Sequence, residues 1–196
     1  MLLLDSGVDW IGGIPNHWKC VPLKWFISIS SGDFILGDKI SEEKSNDQTV
    51  PVIGGNGVMG FANSSNTSEN EIIIGRVGAL CGNVHIFRES TWVTDNALKV
   101  KIGTQFTQDY LTSTLSSLNL NKLANKNAQP LITGSMIKSQ KIPLPPNDEQ
   151  RKIQNYIEML ANEFEIAKKF INIEIAKLTE LKASFIFNTV TGKIKV

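Results

Sequence analysis

The sequence has no apolar run as long as a membrane-spanning helix needs, about 18 residues or more. Its apolar start, Met1 to Leu4, is too short for a signal peptide and lacks the basic flank. Only two cysteines occur among 196 residues, Cys20 and Cys81, and they form no Cys-x-x-Cys pair. This excludes a disulfide framework and a cysteine-rich zinc site. We therefore expect a cytoplasmic protein that keeps its thiols reduced and does not contact a membrane.

The groups that most enzymes use are also scarce. The two histidines, His17 and His85, lie far apart in the sequence, and we expect no metal site. The glycine-rich segment 75–82 lacks the spacing of a dinucleotide-binding loop and the Gly-Lys-Ser/Thr ending of a phosphate-binding loop. No cofactor site is therefore expected in the chain. One enzymatic pairing stays open, a thiol hydrolase in which His85 assists Cys81, although a lone cysteine and histidine four residues apart are usually structural.

What the sequence does have is a heptad repeat between residues 147 and 190. An apolar residue recurs at every seventh position along one seam, and a second seam four residues ahead of it is interrupted by Glu174. Such a pattern is typical of a coiled-coil helix that packs against another helix. The residues predicted to form a dimer interface are Ile153, Ile157, Leu160, Phe164, Ile171, Leu178, Leu181 and Phe185.

The ends of this helix are specified as well. The prolines of 143–146 exclude a helix upstream, Asn147 can act as the N-cap, and Gln150 follows it as in a capping box. Gly192 can end the helix in the left-handed conformation. A rod of roughly 60 Å is far longer than a body about 30 Å across. We therefore predict self-association through the helix, although a long amphipathic helix that lies across its own domain is the alternative.

Short apolar runs alternate with glycine turns in the first two thirds of the chain. The runs cover residues 50–53, 58–62, 71–74, 84–87 and 98–102, without amphipathic helices between them. This predicts an α+β fold with a curved, mainly antiparallel sheet rather than a doubly wound parallel one. One modest helix is predicted from about Gln108 to Leu123, where leucines recur at helical spacing.

Charge gives little indication of a partner, because 20 basic residues are balanced by 19 acidic ones. The polar side chains that can read bases nevertheless lie in or beside the glycine-rich turns. Arginine suits guanine, asparagine and glutamine suit adenine, and lysine holds phosphates. The candidate DNA-binding residues are Asn56, Arg76, Asn83, His85, Arg88, Asn96, Lys122, Lys126, Asn127, Gln129 and Lys138, although each taken singly is also a normal solvated loop residue.

Several segments together resemble the specificity subunits of type I restriction-modification systems. The resemblance covers nearly the whole chain, and the joint occurrence of these segments in this order is quite specific for the family. The segments are DSGVDWIGGIPNHW at 5–18, IGRVG at 74–78, CGNV at 81–84, WVTDNA at 92–97, IPLPP at 142–146 with Glu149, Gln150 and Ile153, and TVTGKI at 189–194.

The resemblance implies a target recognition domain over residues 1–146, a conserved dimerisation and spacer helix over 147–190, and a tail over 191–196. It also implies a non-catalytic chain that recognises double-stranded DNA. Its partners are then a methyltransferase (modification) subunit, which binds S-adenosylmethionine, and a restriction subunit that joins through the complex. The chain itself needs no cofactor.

Members of that family usually carry two recognition domains and two long helices, whereas this sequence has one of each. We therefore expect a half subunit, either a natural one that forms a homodimer or the second half of a split one. Two copies related by two-fold symmetry see the same half-site on opposite strands. The expected target is a bipartite palindrome with an unspecified spacer.

Two further alternatives stay open beside the thiol hydrolase. The first is a dimeric scaffold or regulator that binds only protein, which would show no DNA-dependent mobility shift even with the modification subunit present. The second is an autonomous DNA methyltransferase. The sequence opposes that alternative because it has no Asn-Pro-Pro-Tyr-type motif and no cofactor glycine loop.

Overall fold

The computed structural model of the chain describes residues 2–124 and 129–194. The chain divides into two compact units, Met1–Arg151 and Lys152–Val196. The sequence places the boundary before Asn147, whereas the first unit includes Glu149 and Gln150. Both of these side chains make hydrogen bonds to residues of the first unit, so the start of the long helix is part of that unit.

The first unit begins with ten short strands, which are followed by two short α-helices and an eleventh strand, and the long helix starts at its end. The strands and α-helices of the described residues are β1 (Leu3–Asp5), β2 (Gly13–Pro15), β3 (Lys19–Pro22), β4 (Ile27–Ser31), β5 (Val50–Gly54), β6 (Gly57–Ala62), β7 (Glu71–Gly75), β8 (Val84–Phe87), β9 (Trp92–Val93), β10 (Ala97–Ile102), α1 (Gln108–Ser117), α2 (Gly134–Lys138), β11 (Lys141–Leu144) and α3 (Asn147–Val190).

The strands of the described residues form four small sheets. The largest is antiparallel with the order β4-β10-β7-β8, and a three-stranded sheet has the order β6-β5-β9. The β5–β9 pair is parallel, while the other strand pairs are antiparallel. β1 pairs with β2, and β11 pairs with β3. The predicted α+β fold with mainly antiparallel strands and one long C-terminal helix is confirmed.

Strand β7 lies at the centre of the first unit, between β10 and β8. Its residues Ile72, Ile73 and Ile74 are completely buried. Because successive side chains of a strand point to opposite faces, both faces of β7 are covered. Ile73 packs in one cluster with Ile53 and Val93 of the three-stranded sheet. The two larger sheets therefore share a core, and the glycine turns that follow their strands are held by a rigid support.

The helix predicted from Gln108 to Leu123 is wrong beyond Ser117. Helix α1 ends there, Asn119 adopts the left-handed conformation with φ of 50°, and Leu120–Leu123 form a separate 3₁₀ turn. Asparagine tolerates this conformation better than most residues. The change of direction accompanies complete burial of Leu120, so tertiary packing overrides the helical spacing of the leucines.

Helix α3 has the predicted bounds. It runs over 44 residues, which corresponds to a length of about 66 Å. Gly192 follows it with φ of 71°, and the amide of Lys193 donates to the carbonyl of Asn188 at 2.8 Å. The predicted glycine end is therefore confirmed. Neither α3 nor any other helix in the described part of the chain has the length and apolarity required to span a membrane.

Candidate nucleic-acid interface

Three of the predicted DNA-binding residues line one cleft of about 680 Å³, which we call the carboxamide cleft. They are Asn56 in the turn between β5 and β6, Asn96 just before β10, and Gln129 just before Pro130. Each carboxamide can donate and accept a hydrogen bond. The remaining lining is formed by the turn glycines, Val58, Met59 and residues 77–80. None of the described residues that line the cleft carries a carboxylate, so these residues present no negative side chain that would repel DNA.

Two glycines allow the walls of this cleft to approach each other. A Cβ on Gly75 would overlap the carbonyl oxygen of Gly55, and a Cβ on Gly55 would lie 2.8 Å from the carbonyl oxygen of Val77. Only a residue without a side chain fits either place. The amide of Arg76 also donates to the carbonyl of Asn96 at 2.9 Å. The β5–β6 turn, the loop after β7 and the turn before β10 are thereby held together.

Gln129 is brought to the cleft by a second set of backbone contacts. The amide of Gly78 donates to the carbonyl of Pro130 at 3.0 Å, and the amide of Ile132 donates to the carbonyl of Arg76 at 2.9 Å. These bonds align the loop after β7 with the segment that follows Gln129. Residues more than fifty positions apart in sequence therefore meet at one surface.

Asn83 and His85 lie in a different recess of about 400 Å³. Asn119 and Asn121 also line it, and the sequence did not single them out because they fall within the stretch predicted as helix. Asn121 is held in place, since its Nδ2 donates to the carbonyls of Ala79 at 3.1 Å and of Cys81 at 3.0 Å. The sequence signal that could have revealed these two further residues is the pair of asparagines at 119 and 121.

The charged candidates are spread over the surface. Arg88 forms an ion pair with Asp109. Arg76 lines a third, small pocket. Lys122 is exposed and Lys138, at the end of α2, is half-buried. Two more candidates, Lys126 and Asn127, lie outside the described residues. The set predicted from sequence is thus divided into separate sites, and its role in DNA contact stays a prediction.

Cys81 offers no accessible nucleophile. Its side chain is completely buried, and Asn121 Nδ2 lies 3.4 Å from its Sγ. A thiol hydrolase needs its sulfur exposed to substrate, so this burial opposes that alternative. Among residues 2–124 and 129–194, no group of three or more His, Cys, Asp or Glu residues is arranged to hold a metal ion.

The predicted dimer seam is largely uncovered in the single chain. Phe164 is 71% exposed, Leu178 63% and Ile171 59%. Ile157, Leu181 and Phe185 are exposed too, while Ile153 and Leu160 are half-buried. An apolar strip of this length is unusual on a monomer, and its role as a dimer interface stays a prediction.

A second apolar stripe on α3 was missed in the sequence. Met159, Ile166 and Ile173 recur every seven residues, two positions after the first seam, and therefore lie on a different face of the helix. Phe170 and Phe187 are exposed as well. The seven-residue spacing of the first three residues was visible in the sequence and was the signal that could have revealed this stripe.

The first turn of α3 is fixed to the first unit by two neighbouring side chains. One carboxylate oxygen of Glu149 accepts from Trp18 Nε1 at 2.8 Å, and the other lies 2.7 Å from His17 Nε2. Gln150 is completely buried. Its side-chain Oε1 accepts from the backbone amide of Thr107 at 2.7 Å. Gln150 Nε2 also donates to Asn147 Oδ1 at 3.3 Å, so Gln150 contacts the predicted cap residue, but its Oε1 is used by the loop before α1 rather than by the reciprocal bond of a capping box.

The pH dependence of stability is expected to report the Glu149 contact. Hydrogen bonds from Trp18 and His17 hold the pKa of Glu149 below the ordinary value of 4.5. The stabilisation is therefore present above pH 4.5 and is lost as pH falls through the lower, folded-state pKa. We expect the difference in unfolding free energy between wild type and Glu149→Gln to be constant from pH 7 to about 5.5 and to shrink in more acidic solution.

Urea titrations at a series of pH values measure this difference. Glu158→Gln, an exposed change on the same helix, serves as the control and should show no comparable decrease in the acid range. A pH-independent difference for Glu149→Gln would show that the carboxylate is not bound in the folded protein.

The fold and the surface define a recognition module joined to a long helix. Residues 15–177 match the family "Type I restriction modification DNA specificity domain". Because this match spans most of the chain, the protein belongs to the family of type I restriction-modification specificity domains. Its relatives include the Type I restriction enzyme EcoprrI specificity subunit of Escherichia coli, which is 30% identical over 124 residues.

Three solved structures of type I systems share this fold. A type I restriction-modification complex matches with a TM-score of 0.73 and covers 89% of this chain. The S subunit from M. genitalium and the HsdS subunit from Thermoanaerobacter tengcongensis match with TM-scores of 0.66 and 0.62, each over 82% of this chain. All three are 18% identical to it, so they establish the fold.

The chain is much shorter than these relatives. The matches span 63% of this chain but 31% of the E. coli subunit, and 46%, 44% and 40% of the three solved chains. Type I specificity subunits are not themselves catalytic, and the expectation of a non-enzymatic chain agrees with this family.

Proposed function

We propose that this chain selects the DNA sequence for a type I restriction-modification complex. The family match over residues 15–177 is the observation that carries the proposal. In this role the chain binds double-stranded DNA. The site that it binds determines where a methyltransferase (modification) subunit acts and, through the complex, where a restriction subunit acts. S-adenosylmethionine belongs to the methyltransferase subunit, and this chain needs no cofactor of its own.

The carboxamide cleft is the part of the surface best suited to reading bases. Asn and Gln side chains form paired hydrogen bonds with the N6 and N7 atoms of adenine in the major groove. Asn56 and Asn96 are positioned by turns whose backbones are held together by hydrogen bonds and close packing. Such fixed backbone positions favour specificity, because a turn that is already ordered loses little entropy on binding. Adenine-containing half-sites are the expected targets.

Two copies of the chain would pair through the heptad seam of α3. The interface would consist of the eight seam residues, and their exposure in the single chain supports this pairing. Two-fold symmetry then presents the same recognition surface to opposite DNA strands. Because a 44-residue rod is about 66 Å long, it exceeds the roughly 34 Å between half-sites one helical turn apart. The proposed target is a bipartite palindrome with a spacer of several base pairs.

The second apolar stripe supports an additional helical neighbour. A single heptad seam accommodates one partner helix, whereas Ile166, Phe170 and Ile173 remain exposed on another face. We assign this face to the methyltransferase subunit. Association with that subunit would cover the stripe, which is too apolar to stay exposed in the working complex.

Mapping of methylated bases in a host that carries the complete system tests this proposal. We expect a motif with two inverted, identical half-sites separated by unspecified bases. An asymmetric motif would reject the homodimer and indicate pairing with a different half, while the recognition role would stand. Absence of both methylation and a DNA mobility shift with the modification subunit present would favour the protein-binding scaffold.

The same assay tests the cleft. The Asn56→Ala/Gln129→Ala variant removes two carboxamides and should relax the motif at two positions in each half-site, since each good bidentate pair supplies about 1–3 kcal/mol of discrimination. Asn46→Ala, in an exposed loop that does not line the cleft, serves as the matched control and should leave the motif unchanged. An unaltered motif in the double variant would place base reading elsewhere on the domain.

A further inference from the structure

Arg76 is separated from the side chains that line the carboxamide cleft. Its backbone helps to build that cleft, because its amide donates to Asn96 and its carbonyl accepts from Ile132. Its side chain, however, lines a separate pocket of about 200 Å³ with Ser31 and Thr133. The residue therefore belongs to the recognition surface without sharing the pocket of the base-reading carboxamides.

The guanidinium in this pocket has few partners. Its Nη1 donates to Ser31 Oγ over a long 3.4 Å, and its Nε is buried without a hydrogen-bond partner. Over residues 2–124 and 129–194, no carboxylate lies within ion-pair distance of it. Arg88 and Lys99, by contrast, form ion pairs with Asp109 and Asp33. A half-buried, unpaired arginine is unfavourable unless an anion binds to it.

The shape of the pocket favours a compact anion over a base. A guanine in duplex DNA presents only a flat edge in the major groove, whereas a phosphate projects from the backbone and can enter a recess. The guanidinium fork matches phosphate oxygens. Ser31 adds a hydroxyl whose bonds to Arg76 and to the carbonyl of Asp95 are both 3.4 Å long. Such long bonds are weak and are easily exchanged for bonds to an anion.

We propose that Arg76, together with the hydroxyl group of Ser31, binds a phosphate of the DNA backbone. This inference rests on the proposed DNA-recognition function. It assigns positioning on the DNA and reading of the bases to different residues. Arg76 is a positioning residue that sets where the domain lies along the duplex, and the carboxamide cleft reads the bases. Arg76 then contributes equally to binding of every DNA sequence, because phosphates carry no sequence information.

The test compares Arg76→Gln with Arg151→Gln in the full chain bound to its modification subunit. Arg151 is exposed on α3 and lines none of the pockets described above, so both variants lose one positive charge by the same substitution. Affinity is measured at several salt concentrations for a duplex with the mapped motif and for a scrambled duplex. Circular dichroism shows whether each variant is folded.

For Arg76→Gln we expect affinity for both duplexes to fall by the same factor, roughly tenfold or more. The slope of log K against log salt should decrease in magnitude by about 0.9, as for the loss of one phosphate contact. Arg76→Lys keeps the charge and should retain the wild-type slope while losing part of the affinity. The Arg76→Lys variant also distinguishes loss of the phosphate contact from misfolding of the protein. Arg151→Gln should match wild type.

Other outcomes have distinct meanings. A loss confined to the motif duplex would overturn the inference and make Arg76 a base reader. Wild-type affinity and slope in Arg76→Gln would place Arg76 outside the DNA interface and would leave the recognition function intact. Failure of the wild-type complex to bind either duplex would overturn the proposed function and this inference together.

Discussion

The Phe164→Asp/Ile171→Asp variant is expected to be a monomer, whereas the wild-type chain is expected to be a dimer. Both positions lie on the first heptad seam and are exposed in the single chain by 71% and 59%. Pairing of two helices would bury them. An uncompensated buried carboxylate costs several kcal/mol, and two-fold symmetry introduces each substitution twice. We therefore expect the dissociation constant of the dimer to rise at least about a thousandfold, equivalent to roughly 4 kcal/mol.

Light scattering over a range of concentrations measures this change, and circular dichroism confirms that the helix and the domain are retained. The matched control is Asn155→Asp/Asn162→Asp, which adds the same number of negative charges to exposed positions of α3 away from both seams. It should remain a dimer. Dimers of equal affinity in the seam variant would refute α3 as the interface, and a monomeric control would attribute the effect to charge alone.

Substitution of Gln150 by alanine is expected to cause the largest loss of stability. Gln150 is completely buried although it is polar. Its Oε1 accepts from the amide of Thr107, and its Nε2 donates to the carbonyls of Gln105 and Pro145, both at 2.9 Å. Alanine would leave these three backbone groups without partners. A buried group that loses its partner costs about 1–3 kcal/mol, with partial relief from water.

We expect the free energy of unfolding to fall by about 2–5 kcal/mol, a large part of the 5–15 kcal/mol typical of a domain. Urea unfolding followed by tryptophan fluorescence measures it. Gln150→Glu should be at least as destabilising, because a carboxylate would then face the two carbonyl oxygens. The control Asn155→Ala removes an exposed carboxamide one turn further along and should change stability by less than about 0.5 kcal/mol. Stability of Gln150→Ala equal to that control would show that the buried bonds contribute nothing.

The long helix was predictable because its signals are local. Prolines before Asn147 exclude a helix, the heptad repeat requires one, and Gly192 ends it. The bounds in the structure agree with those read from the sequence. Strands β5, β6, β7, β8 and β10 were predictable for a similar reason, since glycine turns separate short runs of apolar residues, whereas the other six strands of the described residues were not predicted.

The candidate site was only partly predictable. Asparagine and glutamine near glycine turns indicated the kind of residue but could not indicate which of them meet. Asn56 and Asn96 come together because Gly55 packs against Gly75 and because Arg76 bonds to Asn96. The left-handed Asn119, which ends α1 early, and the partners of Gln150 also depend on residues distant in the chain.

The sequence by itself determined five of the strands, the long helix and its apolar seam, because periodicity and turn residues act over a few neighbouring positions. The tertiary structure alone decided which polar side chains share a cleft, that the Arg76 guanidinium has no acidic partner among the described residues, and that Gln150 is buried. Those properties arise from backbone contacts between distant segments, and a local pattern of residues does not encode them.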